Sequence, residues 1–241
     1  MLNNKLIKSC TCGNDSNFSE SIKSDLDIMT CDVCGVIHQK LENWTNERYY
    51  DFYRLDYHVL YQKKRGATNY EDRYQHDCKV AQLRIEQYEG WLDTQGEGLD
   101  IGSSNSAFVH EARSAGFNCI GLEPGEHIGD DSVTVRGTLQ SVDFEKSRFS
   151  WATMHDSIEH MIDVNSSLEK LSSIIKPDGV LLLDLPDYFD ISGQHHWKRI
   201  EHLWFFTQGQ MTDLLGKHGF VVKQITRPIP GKLVFYCRLT N

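Results

Sequence analysis

From Gly96 onward, short apolar runs alternate with stretches in which apolar residues recur at helical spacing. Short apolar runs bounded by turn residues are typical of strands, and their alternation with amphipathic helices predicts βαβ units around a largely parallel sheet. The predicted strands are residues 99–101, 119–123, 132–135, 151–155, 180–185, 221–226 and 233–239. The predicted helices are residues 106–115, 164–175 and 208–218.

The first 95 residues follow a different pattern. Residues 1–41 hold four of the seven cysteines, are rich in Ser, Asp and Asn, and contain few apolar positions. Residues 42–95 are dense in aromatic and charged side chains, which predicts two helices with a break at residues 66–69. The chain therefore divides into a small cysteine-bearing module (1–41), a helical linker or lid (42–95) and an α/β domain (96–241).

Composition narrows the class of protein. With 39% hydrophobic residues, the 241-residue chain can bury an ordinary core, and a net charge of −9 argues against nucleic acid as its main partner. We see neither a secretory signal nor an apolar run long enough to span a bilayer. The expected location is the cytoplasm, where thiols bind metals or pack in cores rather than forming disulfides.

The most informative segment is GLDIGSSNSAF, residues 98–108. A short strand ends at Asp100, and a turn at Gly102 leads into a helix, which allows the backbone to approach a nucleotide-like ligand. A full glycine fingerprint would have further glycines where this chain has Ser104 and Ser106. The next strand ends at Glu123, where a carboxylate can accept both hydroxyls of a ribose and would repel a 2′-phosphate.

Three later segments identify a family. FSWATMHDSIEHMID (149–163), LSSIIKPDGVLLLDLPD (171–187) and the segment from EHLWFFT to LLGKHGF (201–220) resemble, in order, the later part of class I S-adenosylmethionine-dependent methyltransferases. The resemblance implies a Rossmann-like, doubly wound seven-stranded sheet with an antiparallel last strand. It also implies S-adenosylmethionine as the cofactor.

Cofactor contacts follow from the resemblance position by position. Thr138 is a departure, because many relatives have there the acid that reaches the adenine amino group; the backbone amide of Leu139 is the substitute. The implied set is Asp100, Gly102 and Ser103 around the methionine part, Glu123 at the ribose, Pro124, Thr138 and Leu139 near the adenine, and His155 and Asp156 at the end of the fourth strand.

Two cysteine pairs predict a zinc site. Cys31 and Cys34 form a regular CxxCG knuckle, whereas Cys10 and Cys12 are one residue closer than usual. We interpret the four thiolates as ligands of one Zn²⁺ in a ribbon or knuckle, with His38 as a possible substitute ligand. A zinc module followed by an aromatic string from Tyr49 to Tyr61 resembles methyltransferases of sugar and polysaccharide biosynthesis.

The resemblance to the sugar enzymes is incomplete. Sugar C-methyltransferases have a Tyr-His pair before the Glu-His that matches Glu201-His202, whereas this chain has Arg199 and Ile200. This difference favours transfer to oxygen or nitrogen over carbon. The expected acceptor is a small polar molecule, foremost a hydroxyl of a sugar, nucleotide-sugar or glycan.

Methyl transfer is an in-line displacement that a histidine base can assist when the acceptor is a hydroxyl. The candidates are His160 and His202, oriented by Glu159 and Glu201. The two Glu-His pairs are alternatively ligands of a divalent metal that lowers the pKa of the hydroxyl. Two other functions stay open at this point: a non-catalytic module that binds protein or nucleic acid, and an NAD-dependent enzyme.

Overall fold

A computed structural model describes residues 6–57, 70–126 and 128–240. The predicted helix break at residues 66–69 and Tyr61 lie outside these ranges. The strands described are β1 Phe18–Lys23, β2 Leu26–Cys31, β3 Ile37–Gln39, β4 Glu97–Ile101, β5 Asn118–Glu123, β6 Thr134–Arg136, β7 Phe149–His155, β8 Ile175–Pro186, β9 Trp204–Phe205, β10 Phe220–Thr226 and β11 Lys232–Leu239. The α-helices described are α1 Asn46–Asp51, α2 Tyr70–Gln87, α3 Ala107–Ser114, α4 Val164–Ile174 and α5 Gln208–Lys217.

The α/β part is built on a seven-stranded sheet with the order β10-β11-β8-β7-β4-β5-β6. The strands from β8 to β6 pair in parallel, whereas β11 runs antiparallel to both β8 and β10. The predicted Rossmann-like sheet with an antiparallel last strand is therefore confirmed. Because the strand order reverses between β4 and β7, the carboxyl ends of these strands open a crevice where such folds bind ligands.

The sheet is buried on both faces. Along β8, Leu181 and Leu183 face the cluster that includes Leu168 and Leu171 of α4. Leu182 faces the opposite cluster, which α2 and α3 cover. Alternate residues of one strand thus pack into two apolar layers, which explains why the sequence of this strand is an uninterrupted apolar run.

The amino-terminal part forms a second, antiparallel sheet with the order β1-β2-β3-β9. Ser24 and Asp25 connect β1 and β2 with φ values of 50° and 61°, the left-handed backbone that a two-residue hairpin turn requires. β9 belongs to the later α/β sequence but pairs with β3. The cysteine-bearing segment therefore shares a sheet with residues 204–205, a pairing the sequence did not indicate.

Some element boundaries differ from the prediction. β8 begins at Ile175 rather than residue 180, because Ile175 pairs with Phe149 before the register shifts. The third parallel strand is Thr134–Arg136 rather than residues 132–135. Beyond α1, the chain continues as a π-helix, Phe52–Asp56. Among the described residues, no helix is long and apolar enough to cross a membrane.

Candidate active site

The turn after β4 has the backbone of a ligand-binding loop. Gly102 has a φ of 77° and donates its N–H to the carbonyl of Leu122 at 2.8 Å, and a Cβ there would collide with Ser157. Ser104 and Ser106 also have left-handed φ values, 47° and 63°, at the places where glycine was expected. This backbone conformation is less favourable for serine than for glycine. The Ser106 hydroxyl forms a hydrogen bond with the Thr134 hydroxyl at 2.8 Å.

Glu123 at the end of β5 lies directly above this turn. One carboxylate oxygen accepts the N–H of Ser104 and the other accepts the N–H of Gly125, each at 2.8 Å. Glu123 is 4% exposed and lines the cleft. The loop therefore fixes the carboxylate orientation before any ligand arrives.

The end of β7 places His155 between two neighbours. Its Nδ1 lies 3.2 Å from the Asp100 carboxylate, and its Nε2 lies 3.1 Å from the Tyr88 hydroxyl. Asp100 also accepts the Thr153 hydroxyl at 2.7 Å. Since both ring nitrogens are engaged, His155 holds the wall of the cleft and is poorly placed to take up a proton from a substrate.

Asp156 belongs to an ionic network that we did not predict. Its carboxylate pairs with Lys232, and its N–H donates to Asp184 at 2.9 Å. Arg84 of α2 reaches Asp184 at 2.7 Å. Although burial opposes ionisation, Lys232 and Arg84 hold the pKa of Asp156 below its ordinary value. These four residues come from distant segments, so only the tertiary structure brings them together.

The remaining predicted cofactor residues also line the cleft. Pro124, Thr138 and Leu139 border it beside Glu123. The Thr138 hydroxyl accepts the N–H of Ser141 at 3.2 Å, so it stabilises its own turn. Ser103 lines the cleft too, but its hydroxyl is buried against Gly121 without a hydrogen-bond partner among the described residues.

The two Glu-His pairs meet below the lid. Nδ1 of His160 contacts the Glu201 carbonyl and the Tyr53 hydroxyl, and Nδ1 of His202 lies 2.8 Å from the Tyr188 hydroxyl. Burial lowers the pKa of His160 to about 4 and lowers that of His202 as well. Both imidazoles are therefore neutral at pH 7.

The two carboxylates of these pairs differ. Glu159 is fully buried, and neither oxygen has a hydrogen-bond partner among the described residues; burial raises its pKa well above the ordinary value. Glu201 lies 3.6 Å from the Lys198 ammonium. Of these two carboxylates, Glu159 is therefore the one whose burial is not offset by a hydrogen bond from the described residues.

These elements enclose one cleft of about 580 Å³. His160 lines it, whereas Glu159, Glu201 and His202 lie behind its wall. Beside His160, tyrosines of residues 49–57 line the cleft together with polar side chains of α2. They are Tyr49, Tyr50, Tyr53, Tyr57, Arg73, His76 and Asp77.

The four cysteines of the amino-terminal part converge. The Sγ atoms of Cys10 and Cys34 lie 3.4 Å apart, those of Cys12 and Cys31 lie 3.6 Å apart, and all four lie within 4.8 Å of one another. Burial opposes the Cys31 thiolate, but N–H groups of the knuckle and the side chain of Asn14 lower its pKa to about 6. Burial raises the pKa values of Cys10 and Cys34, but the four convergent cysteine sulfurs match the ligand set of a tetrahedral zinc ion. His38 instead contacts the Gln39 carbonyl.

Comparison with known proteins agrees with this geometry. Residues 71–225 match the family described as "Methyltransferase domain", which is more than half of the chain. The protein belongs to this family. Membership in a methyltransferase family favours methyl transfer over the two other functions considered from the sequence, a non-catalytic binding module and an NAD-dependent enzyme.

Solved structures share the fold at low sequence identity. A methyltransferase from Archaeoglobus fulgidus has a TM-score of 0.59 at 14% identity, covering 76% of this chain and 100% of that one. A Burkholderia thailandensis 1,6-didemethyltoxoflavin-N1-methyltransferase, solved with its acceptor and S-adenosylhomocysteine, has a TM-score of 0.57 at 13% identity and covers 94% and 100%.

A curated relative is the C-methyltransferase NovU of Streptomyces niveus, 21% identical over 139 residues. The match covers 53% of this chain but only 33% of the relative.

Proposed function

We propose that the protein transfers the methyl group of S-adenosylmethionine to a hydroxyl of a small polar acceptor, foremost a sugar, nucleotide-sugar or glycan. The observation that carries this proposal is the single cleft that joins the Glu123 loop to the lid tyrosines and His160. In this proposal, the predicted residues from Asp100 to Asp156 bind the cofactor. Residues 1–41 form the zinc module, 42–95 the lid and 96–241 the catalytic domain.

The residues that line the cleft away from the Glu123 loop suit an acceptor with a hydroxylated ring. Tyr50, Tyr53 and Tyr57 offer aromatic faces, and Asp77 and Arg73, paired at 2.7 Å, offer polar groups. Aromatic rings stack on the apolar faces of sugar rings, while paired polar groups satisfy their hydroxyls. A second candidate is carbon as the methylated atom, which the similarity to NovU favours and the departures at Arg199 and Ile200 oppose.

We propose that His160, the predicted general base that borders the cleft, accepts the proton of the acceptor hydroxyl. Its Nδ1 contacts the Glu201 carbonyl, which only accepts hydrogen bonds, so the ring proton lies on Nδ1 and the Nε2 lone pair is left for another group. His202, 2% exposed, supports this ring at a centroid distance of 4.9 Å.

The reaction is tested with S-adenosylmethionine and a panel of sugars, nucleotide-sugars and glycans. S-adenosylhomocysteine should form only with an acceptor, and mass spectrometry with NMR of the product identifies the methylated atom. An oxygen-linked methyl supports the proposal, and a carbon-linked methyl supports the second candidate. If no panel member is methylated although the cofactor binds, the sugar assignment is wrong.

We also propose that Cys10, Cys12, Cys31 and Cys34 bind one structural Zn²⁺. Lys217 of α5 and Asn165 of α4 both donate to the Thr11 carbonyl inside the cysteine loop, at 3.1 and 3.0 Å. These contacts attach the module to the α/β part. Zinc would therefore stabilise the loops and the surface that packs on both helices.

Cys31→Ser tests the zinc site. We expect it to lose one zinc per chain by elemental analysis and to lower the melting temperature by several degrees. Cys78→Ser, a buried cysteine of α2 outside the cluster, is the matched control and should keep its zinc. Equal zinc content in Cys31→Ser and wild type would contradict the assignment.

A further inference from the structure

Glu159, His160 and His202 form a second cluster with the composition of a metal site. One carboxylate oxygen and one nitrogen of each ring lie within 4.8 Å of one another. Glu159 and His160 belong to the short 3₁₀ helix Ile158–His160 after β7, and His202 precedes β9. Two imidazoles and one carboxylate are a recurrent ligand set for divalent transition metals.

The hydrogen bonds around the cluster are incomplete in a specific way. The Glu159 carboxylate is fully buried without a donor among the described residues, and Nε2 of His160 lies 4.0 Å from it. With the ring proton of His160 on Nδ1, the Nε2 lone pair faces the Glu159 carboxyl group, and at 4.0 Å a proton carried by that carboxyl group does not reach Nε2 in a hydrogen bond. A cation that displaces this proton satisfies both groups at once, and since two ligands of a tetrahedral ion lie about 3.4 Å apart, an approach of about half an ångström brings them onto one ion.

The surroundings of the two rings also suit ligation. Metal-bound histidines generally use their other nitrogen in a hydrogen bond that fixes the ring. Here Nδ1 of His160 is held by the Glu201 carbonyl and the Tyr53 hydroxyl, and Nδ1 of His202 by the Tyr188 hydroxyl. These hydrogen bonds use Nδ1 of each ring and do not involve Nε2, and Nε2 of His160 is the nitrogen that faces Glu159.

We infer that Glu159, His160 and His202 bind one divalent first-row transition-metal ion directly behind the wall of the cleft. The ion-binding site stands independently of methyl transfer; its use in the reaction rests on the proposed function. His160 would then assist the acceptor hydroxyl as a ligand of the ion instead of as a free base, because an ion close to a hydroxyl lowers its pKa.

Manganese distinguishes this cluster from the cysteine site, because thiolates select zinc whereas carboxylate and imidazole also accept Mn²⁺. The full-length protein is first loaded with one equivalent of Zn²⁺. Mn²⁺, and in parallel further Zn²⁺, is then titrated, with free Mn²⁺ followed by electron paramagnetic resonance. We expect a second equivalent of at least one of these ions to bind, and Glu159→Gln to weaken that binding at least about 100-fold.

Asp187→Asn is the matched control, since it changes another buried carboxylate, which pairs with Arg227 outside the cluster, and it should leave the second equivalent unchanged. Tyr188→Phe removes only the support of His202 and should weaken the ion about tenfold, which keeps the test usable if Glu159→Gln does not fold. Absence of a second equivalent in wild type, or equal affinity in wild type and the Glu159 or Tyr188 variant, would overturn the inference. Methyl transfer without a second ion would refute only the use of the ion in the reaction, and a bound ion without cofactor turnover would refute only the proposed function.

Discussion

The two halves of the cleft are built in different ways. The glycine-turn half, residues 100–139, holds its principal carboxylate through the backbone N–H groups of Ser104 and Gly125, within a few residues of the turn and of Glu123 itself. The His160 half joins His160 and Glu201, which lie 41 residues apart, to Tyr53, which lies more than 100 residues from both along the chain. The first half is set by local backbone geometry, and the second exists only after long-range packing.

The two halves also differ in the kind of energetic cost that they carry. In the glycine-turn half, the cost is conformational, since Ser104 and Ser106 adopt left-handed backbone. In the His160 half, the cost is electrostatic, since Glu159 is buried without a donor. Mutations in the first half should change cofactor binding, and mutations in the second should change catalysis or stability.

The largest effect is expected for Glu123→Ala. The variant loses a carboxylate that accepts two backbone N–H groups and is proposed to hold the ribose, so affinity for S-adenosylmethionine should fall about 100-fold, since hydrogen bonds to charged groups contribute about 1.5–3 kcal/mol. Isothermal titration calorimetry measures this, with the exposed Glu145→Ala as control. A loss of cofactor affinity smaller than about threefold would contradict the assignment of cofactor binding to the glycine-turn half.

Tyr53→Phe should affect the other half. Without the phenolic hydroxyl, His160 and the Glu201 carbonyl lose a shared partner, and kcat should fall about tenfold while KM for S-adenosylmethionine stays constant. Tyr50→Phe, on the same wall, should have little effect on kcat. A rise in KM for the cofactor with unchanged kcat would show that the halves are not functionally separate.

Lys232→Met should lower the free energy of unfolding by about 1–2 kcal/mol at pH 7, a value discounted because Asp156 is partly exposed. Since Lys232 and Arg84 hold the pKa of Asp156 below its ordinary value against the cost of its partial desolvation, the carboxylate stabilises the fold above its ordinary pKa of about 4. This stabilisation is lost as the pH falls further. In urea unfolding curves, the difference between wild type and variant should therefore shrink below about pH 4. A pH-independent difference would contradict the ion-pair explanation.

The smallest effect is expected for Thr138→Ala. Its hydroxyl bonds within the turn to Ser141 rather than supplying the acid found in many relatives, so cofactor affinity should change less than about threefold. The calorimetric titration used for Glu123→Ala measures it. A tenfold loss would show that Thr138 contacts the adenine after all.

Much of the fold could be predicted from the sequence because it depends on short-range patterns. Apolar runs located the parallel strands, and the Gly102 turn followed by Glu123 marked the binding edge. The hairpin of β1 and β2 was missed because its exposed residues made the segment look like a loop, although the buried Leu26 and Ile28 flank the exposed Asp27. A pairing such as β3 with β9 has no local signal, since its partners lie more than 160 residues apart.

By itself, the sequence determined the order of the elements, the family and the residues proposed for the cofactor, because periodicity, turns and terminal carboxylates act over a few residues. The tertiary structure decided which polar groups meet. It engaged both nitrogens of His155, joined Asp156 to Lys232, and placed Glu159 without a donor beside His160 and His202. Burial and partner geometry set the charge state of these groups, and both arise only when distant segments pack together.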